Sequence, residues 1–316
     1  MLKSSQQSLP DSLPPFFLVY FIFFIHTATP KPLNYVYYPV FRRVKRMLTS
    51  KSFFDLSQFP HPSIFDDDKP VWEALNRLKD YMDRYNYPKL DSALLPDGVP
   101  LPQAVICHEG SFFPASEFTI EYGDTTKGKL KVCREDKELS GASVIMAGVI
   151  LTGGRINIGK GSTIEGGSLI KSPAIIGDYT EVRQGAYLRG YCLTGKRCVV
   201  GHTTEVKHSI FLNDAKAGHF AYLGDSILGQ NANLGAGTKF ANLKFLGGNV
   251  SIRTEDGLVD TGRRKFGAIL GDTAQTGCNS VTNPGTIIGK GGILMPNTTA
   301  PSGYHSPGTI IRRSRS

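Results

Sequence analysis

The chain has few of the marks that would assign it to a membrane, secreted or metal-dependent class. Its longest apolar run, Phe16 to Ile25, is about half of the roughly twenty residues that a bilayer-crossing helix needs. The 5 cysteines, Cys107, Cys133, Cys192, Cys198 and Cys278, are odd in number and widely spaced. That spacing argues against a disulfide framework or a cysteine metal site, and a reducing cytoplasm is the expected compartment. Acid is scarcer than base: 27 Asp and Glu stand against 36 Lys and Arg, for a formal charge of +9. The basic residues are nonetheless dispersed, apart from Arg42, Arg43, Lys45, Arg46 and the tail Arg312, Arg313, Arg315. No helix-turn-helix, aromatic RNA-reading motif or zinc spacing accompanies them, so a solvated basic surface is expected rather than nucleic-acid binding, with small anions as the reading between the two and no metal required.

Glycine is plentiful, with 35 residues, and it accompanies a beat of six. An apolar side chain recurs at Ile158, Ile164, Ile170, Ile176, Val182, Leu188, Val200, Val206 and Leu212, with Thr194 interrupting. The beat resumes at Leu228, Leu234 and Phe240, and again at Leu270, Thr276, Thr282, Ile288 and Leu294. Helices repeat at about 3.6 residues and strands at about 2. A sustained period of six therefore predicts an all-β hexapeptide solenoid, a parallel β-helix. Glycine commonly follows the apolar position, at Gly159, Gly177, Gly201, Gly229, Gly235, Gly271, Gly277 and Gly289, where a tight corner is expected to need positive φ. Cys192 and Cys198 fall at equivalent positions on neighbouring faces, which packing explains. Between Leu212 and Leu228 the register is expected to slip, in a stretch that holds Lys216, His219, Tyr222 and Asp225.

Four further segments surround this repeat. Residues 1–46 form a leader with four readings: a signal peptide, a disordered segment, sequence upstream of a true start at Met47, or a membrane anchor. Lys3 precedes the apolar run, but Pro14 and Pro15 abut it and His26-Thr27-Ala28 is a poor cleavage site. Residues 47–139 read as a small α+β cap. A helix is predicted over Val71 to Met82, with Leu75, Leu78 and Met82 on a stripe that packs against the neighbouring domain. Short strands are predicted at Ala104 to Cys107, Glu117 to Tyr122 and Lys129 to Val132. The solenoid spans 140–302, its inward positions starting near Met146 and Thr152, with an inserted loop over 244–267 that carries an Asp256-Gly257 hairpin signal. Residues 303–316 are a basic tail. An insertion in a solenoid adds material to one face and often shapes a site.

The densest chemistry lies in Glu205-Val206-Lys207-His208, in Gly218-His219-Phe220-Ala221-Tyr222-Leu223-Gly224-Asp225, and in Asn233-Leu234-Gly235-Ala236-Gly237. On these motifs Ser140 to Ala300 resembles the left-handed β-helix acetyltransferase domain of the bifunctional UDP-N-acetylglucosamine pyrophosphorylase/glucosamine-1-phosphate N-acetyltransferases. It resembles equally the matching domain of related archaeal and bacterial sugar-1-phosphate nucleotidylyltransferases. The left hand of the coil is implied by the resemblance alone. The family's general base falls on His219, which would take a proton from the sugar amino group as its nitrogen attacks the acetyl-CoA thioester. An imidazole suits that task because its pKa lies near the working pH.

By the same resemblance Glu205 is an acidic residue near the reacting centre. Arg189, Lys207 and Lys265 are cationic contacts to a sugar phosphate, and Tyr222, Asn233 and Asn242 are polar sugar contacts. The asparagines have an alternative role, as a stacked ladder within the coil turns. Ala236, Cys278 and Arg313 (or Arg312) would meet acetyl-CoA, although Cys278 stands where the family often has serine. Leu243 replaces an aromatic residue common in the bifunctional enzymes, and the loop 244–267 is longer, which leaves the acceptor sugar open. The Gly-rich G-x-G-T-R-M phosphate loop of the pyrophosphorylase half is absent, so nucleotidyl transfer is not expected of this chain. The resemblance thus implies an acetyl-CoA-dependent N-acetyltransferase of an amino sugar 1-phosphate, assembled as a homotrimer with sites between subunits. Two alternatives stand beside it. One is a non-catalytic subunit that binds sugar nucleotides and partners a separate nucleotidylyltransferase; the other is an acyltransferase of different acyl group or acceptor.

Overall fold

The computed structural model of the chain describes residues 48–254 and 257–313. The leader, Met47, Glu255, Asp256 and the last three residues of the tail lie outside the described residues. Among the described residues no helix is long and apolar enough to cross a membrane.

Strands of two to four residues stack coil upon coil into three sheets, one of eleven strands and two of eight. On the first face the inward positions in register are Ile164, Val182, Val200, Ala217, Leu234, Thr276 and Leu294. On the second they are Leu151, Ile170, Leu188, Val206, Leu223, Phe240, Thr282 and Ala300. On the third they are Ile158, Ile176, Thr194, Phe211, Leu228, Leu270 and Ile288. Almost all of these are buried, and together they form one continuous apolar column. The period of six is therefore the length of one strand plus one corner. Cys192 and Cys198 are fully buried two residues before inward positions, their thiols directed at Val206 O and Leu212 O, and burial pushes both up to about 12.

Three expectations are corrected by the register. The first coil turns Ile145 and Leu151 inward rather than Met146 and Thr152. An extra residue at the Gly153-Gly154 corner, before Ile158, displaces the count, and a shift of one residue exchanges inner and outer faces. Phe211 rather than Leu212 points into the column, and Leu212 packs outside it. The irregular spacing is thus two shortened corners, Val206 to Phe211 and Leu223 to Leu228, stacked at the same edge in consecutive coils.

The third correction concerns glycine. None of the eight glycines after apolar positions has positive φ. A Cβ on Gly201 would lie 1.8 Å from Gly218 O, and one on Gly177 would lie 2.1 Å from Gly195 O. These glycines are required by close approach of the next coil's backbone. Gly201→Ala should therefore force two coils apart and destabilise the chain by about 1–3 kcal/mol, measured by chemical denaturation.

The outer surface of the third face is itself apolar, presenting Ile175, Leu193, Ile210, Ile227, Ile269 and Ile287. The segment from Leu48 to Met82 covers it. Phe53 of α1 (Ser50–Phe53), Ile64, Trp72, Leu75, Leu78 and Met82 are buried against it. The second helix, α2, runs Glu73–Asp83, with an acid in the first turn where the helix dipole favours it. Val71 and Trp72, expected within the helix, precede it. Fully burying each such side chain contributes about 1.5–3 kcal/mol before entropy is counted. Asp272 fastens the segment: its carboxylate accepts from Asp55 N at 2.7 Å and Gln230 N at 2.8 Å.

At the open end of the column, strand Val105–His108 pairs antiparallel with Ser143–Ile145 of the first coil and with Ser111–Pro114. That pairing removes a free edge. A second small sheet joins Thr119–Glu121, Lys131–Arg134 and Lys137–Glu138. Glu117 belongs to a short 3-10 turn, Ala115–Glu117, rather than to the predicted strand. The inserted loop carries a hairpin, Ser251–Thr254 with Gly257–Asp260.

Candidate functional site

The two shortened corners build a site between the second and third faces. His208 and Asp225 turn these corners with positive φ, 47° and 50°, one coil apart. Both are buried, although an isolated charge there would be costly. Asp225 is compensated from three directions. Arg263 Nη2 donates to its Oδ1 at 2.9 Å, Asn242 Nδ2 donates to its Oδ2 at 2.8 Å, and His208 Nδ1 lies 3.1 Å from Oδ1. The imidazole nitrogen is off the hydrogen-bond direction, so that last pair is a close polar contact and not a hydrogen bond. Burial alone would raise the Asp225 carboxyl; His208, Asn242 and Arg263 outweigh it and the net shift is downward. Asn242 and Arg263 stand near the two ends of the inserted loop, so one carboxylate fastens both.

Above this floor opens a cavity of about 620 Å³. The solenoid contributes Arg189 and Lys207, the inserted loop contributes Arg263 and Lys265, and α2 contributes Asn76 and Lys79. Arg189 is matched by Glu205, with Nη1 donating to Oε1 at 2.6 Å. Lys207 has its pKa lowered, first by burial and then by the neighbouring charge of Lys265. Two ammoniums that repel one another in a half-buried recess leave positive potential that an anion would relieve.

The second cluster lies at the edge between the first and second faces. His219 ends strand Lys216–His219, in register with His202 of the coil before, and is exposed. Phe220, 56% exposed, turns the corner with φ 51° beside both imidazoles, its ring 5.3 Å from His202 and 6.4 Å from His219. A cavity of about 380 Å³ runs along the first face beneath it. His219, Asn233, Ala236 and Cys278 line it, with Lys216 at the start of one strand and Arg183 just after another. The cap reaches this cavity too: Thr125 accepts or donates to Thr163 Oγ1 at 2.8 Å, which brings Asp124 and Thr126 to the wall.

Within one chain, then, the predicted residues fall into two groups. Arg189, Lys207 and Lys265 line the larger cavity, and Glu205 and Tyr222 on the second face stand beside it with Asn242, just ahead of the inserted loop. Tyr222 registers with Glu205, and its hydroxyl donates to Asn242 Oδ1 at 3.4 Å. His219, Asn233, Ala236 and Cys278 share the smaller cavity. Asn233 registers with Lys216 and Gln275, so no asparagine ladder forms through it. Arg312 and Arg313 follow the last strand of the first sheet, Ile310–Ile311, in the stack that holds Lys216–His219 four strands away. At about 4.8 Å per strand that is roughly 19 Å. Residues that the sequence reading missed are His208, Asp225 and Arg263 beneath the pocket, and Asn76 and Lys79 of α2. Asp225 stood inside the quoted motif; nothing local in the sequence signals the helix pair.

Fold and site together define a hexapeptide-repeat β-solenoid that carries a pocket lined by Lys and Arg side chains. A family model described as "GMPPB C-terminal domain" matches residues 170–260. The chain is 34% identical over 143 residues to a bifunctional sugar-1-phosphate nucleotidylyltransferase/acetyltransferase of Sulfurisphaera tokodaii, covering 45% of this chain and 36% of that one. It is 36% identical over 105 residues to the bifunctional protein GlmU of Methanocaldococcus jannaschii, covering 33% and 26%. The resemblance drawn from the motif around His219 is thus borne out by these relatives. The chain spans about a third or less of their length. A solved UDP-N-acetylglucosamine acyltransferase of Francisella novicida is 11% identical over 49% of this chain and 58% of its own, with a TM-score of 0.26.

Proposed function

We propose that the chain is an acetyl-CoA-dependent N-acetyltransferase whose acceptor is an amino sugar 1-phosphate. The observation that carries this reading is the pairing of Lys207 with Lys265 in the larger cavity, on the same solenoid as an exposed His219 in a separate groove. An anionic handle would be held by Lys207, Lys265 and Arg189. His219 would take the proton from the acceptor nitrogen as that nitrogen bonds to the thioester carbonyl carbon, and the C–S bond then breaks to release CoA. Glu205, Tyr222 and Asn242 would orient the sugar. Ala236 and Cys278 would border the acyl donor, with Arg313 or Arg312 meeting its phosphates. Three copies would assemble so that each completes a neighbour's groove, with the exposed Phe220 beside His219 at the contact.

The test is CoA release from purified chain supplied with acetyl-CoA and a panel of hexosamine 1-phosphates. Turnover of at least one amino sugar phosphate is expected, without added metal. Binding of sugar phosphates with no acetyl transfer to any of them would replace this reading with that of a non-catalytic binding subunit.

A further inference from the structure

Helix α2 lies outside the span that the family model matches, yet it walls the anion pocket. It is fixed at two points. Asn76 Oδ1 accepts from Arg263 Nη1, and Asp83 accepts from Tyr191 Oη at 3.2 Å while pairing with Arg155. Lys79 sits between these anchors, its Nζ 5.5 Å from the Tyr191 ring centroid, and lines the cavity with Lys207 and Lys265. The other cations of the pocket each have a carboxylate partner: Arg189 pairs with Glu205 and Arg263 with Asp225. Among the described residues Lys79, Lys207 and Lys265 have no carboxylate within salt-bridge distance. Three unmatched ammoniums from three separate parts of the chain converge on one recess, one more than the solenoid and its loop supply.

We propose that Lys79 is a phosphate-binding residue of this pocket, so that a helix from outside the solenoid takes part in recognising the acceptor's phosphate. The inference rests on the acceptor reading above for the identity of the natural ligand, but phosphate binding itself is independent of acetyl transfer. Lys79 contacts substrate and takes no part in bond making. Its aromatic neighbour holds the long side chain over the recess without neutralising it. Lys79 therefore adds affinity for the phosphate and closes the side of the pocket that the solenoid leaves open.

The experiment is calorimetric titration of the whole chain with inorganic phosphate at fixed ionic strength. Loss of one such partly exposed contact should weaken binding about three- to tenfold in Lys79→Gln. Lys79→Arg should stay within about twofold of the unaltered chain, since the charge is kept. Lys69→Gln, an exposed lysine that does not line the cavity, should also stay within about twofold and controls for overall charge. The proposal is overturned if the unaltered chain takes up no phosphate, if Lys79→Gln binds as the unaltered chain does, or if Lys69→Gln loses as much. Because no acetyl-CoA is present, a chain that fails to acetylate but loses phosphate affinity in Lys79→Gln retires the acetyltransferase reading and keeps this one.

Discussion

His219→Ala should lower the rate of CoA release by about 100-fold or more while leaving the melting temperature and oligomeric state unchanged. Removing a positioned general base typically costs about 10² to 10⁴ in rate. The side chain is exposed at a strand end and closes no buried hydrogen bond, so truncation creates no cavity in the column. The neighbouring corner is held by backbone, with Phe220 N donating to His202 O at 2.9 Å and Gly237 N to His219 O at 3.0 Å. Steady-state kinetics read the rate, and a thermal melt reads the fold. A variant that retains activity within about threefold, with the same KM, would remove His219 from the reaction and shift attention to His202, which faces the same exposed ring.

Asp225→Ala should act the other way, on stability more than on any single step. The carboxylate is 8% exposed and faces an Arg263 side chain that is 12% exposed. Breaking a buried pair by removing one partner typically costs about 3–5 kcal/mol, because the remaining charge is stranded. Asn242 loses its acceptor as well, so both ends of the inserted loop come free. Chemical denaturation of the single variant should show that loss, and Arg263→Met in the same background should recover part of it. A midpoint equal to that of the unaltered chain would show that the pair contributes nothing net. The sign with pH follows from the downward shift of Asp225. Its contribution is present above the unfolded carboxylate range, near pH 4, and is lost as pH falls through the lower folded value.

How much of this was legible in the sequence depended on whether neighbours competed for the same position. Ile164 and Val182 were legible because each apolar residue stands between polar ones at its inward turn. Phe211 and Leu212 were not separable, since both are apolar and only the shortened corner decides which turns inward. Met146 and Thr152 were misplaced for a related reason, a residue added at Gly153-Gly154 before the beat settles. The apolar pairs Ile175-Ile176, Ile210-Phe211 and Ile287-Ile288 are the trace, in the sequence, of a face covered on both sides. What covers it is a matter of tertiary structure. The stripe on α2 says which side of the helix packs; it says nothing of what Lys79 and Asn76 then face across the recess. Conversely the motif from Gly218 to Asp225 read as one site, yet a corner lies inside it and sends His219 and Asp225 to different cavities.

The strap over the third face bears on how the molecule comes apart and comes together. In an ordinary repeat array each unit touches only its neighbours, so the ends unravel before the middle. Here the hydrogen bond from Asp55 to Asp272 joins residues 217 apart, and Phe53 meets Tyr304 with ring centroids 5.9 Å apart. A segment made early in synthesis therefore has its docking surface only after the late coils are in place. The strap couples those coils into one cooperative unit, at the cost of a long wait for its own first residues, which must stay unpaired until the last turns of the column have closed.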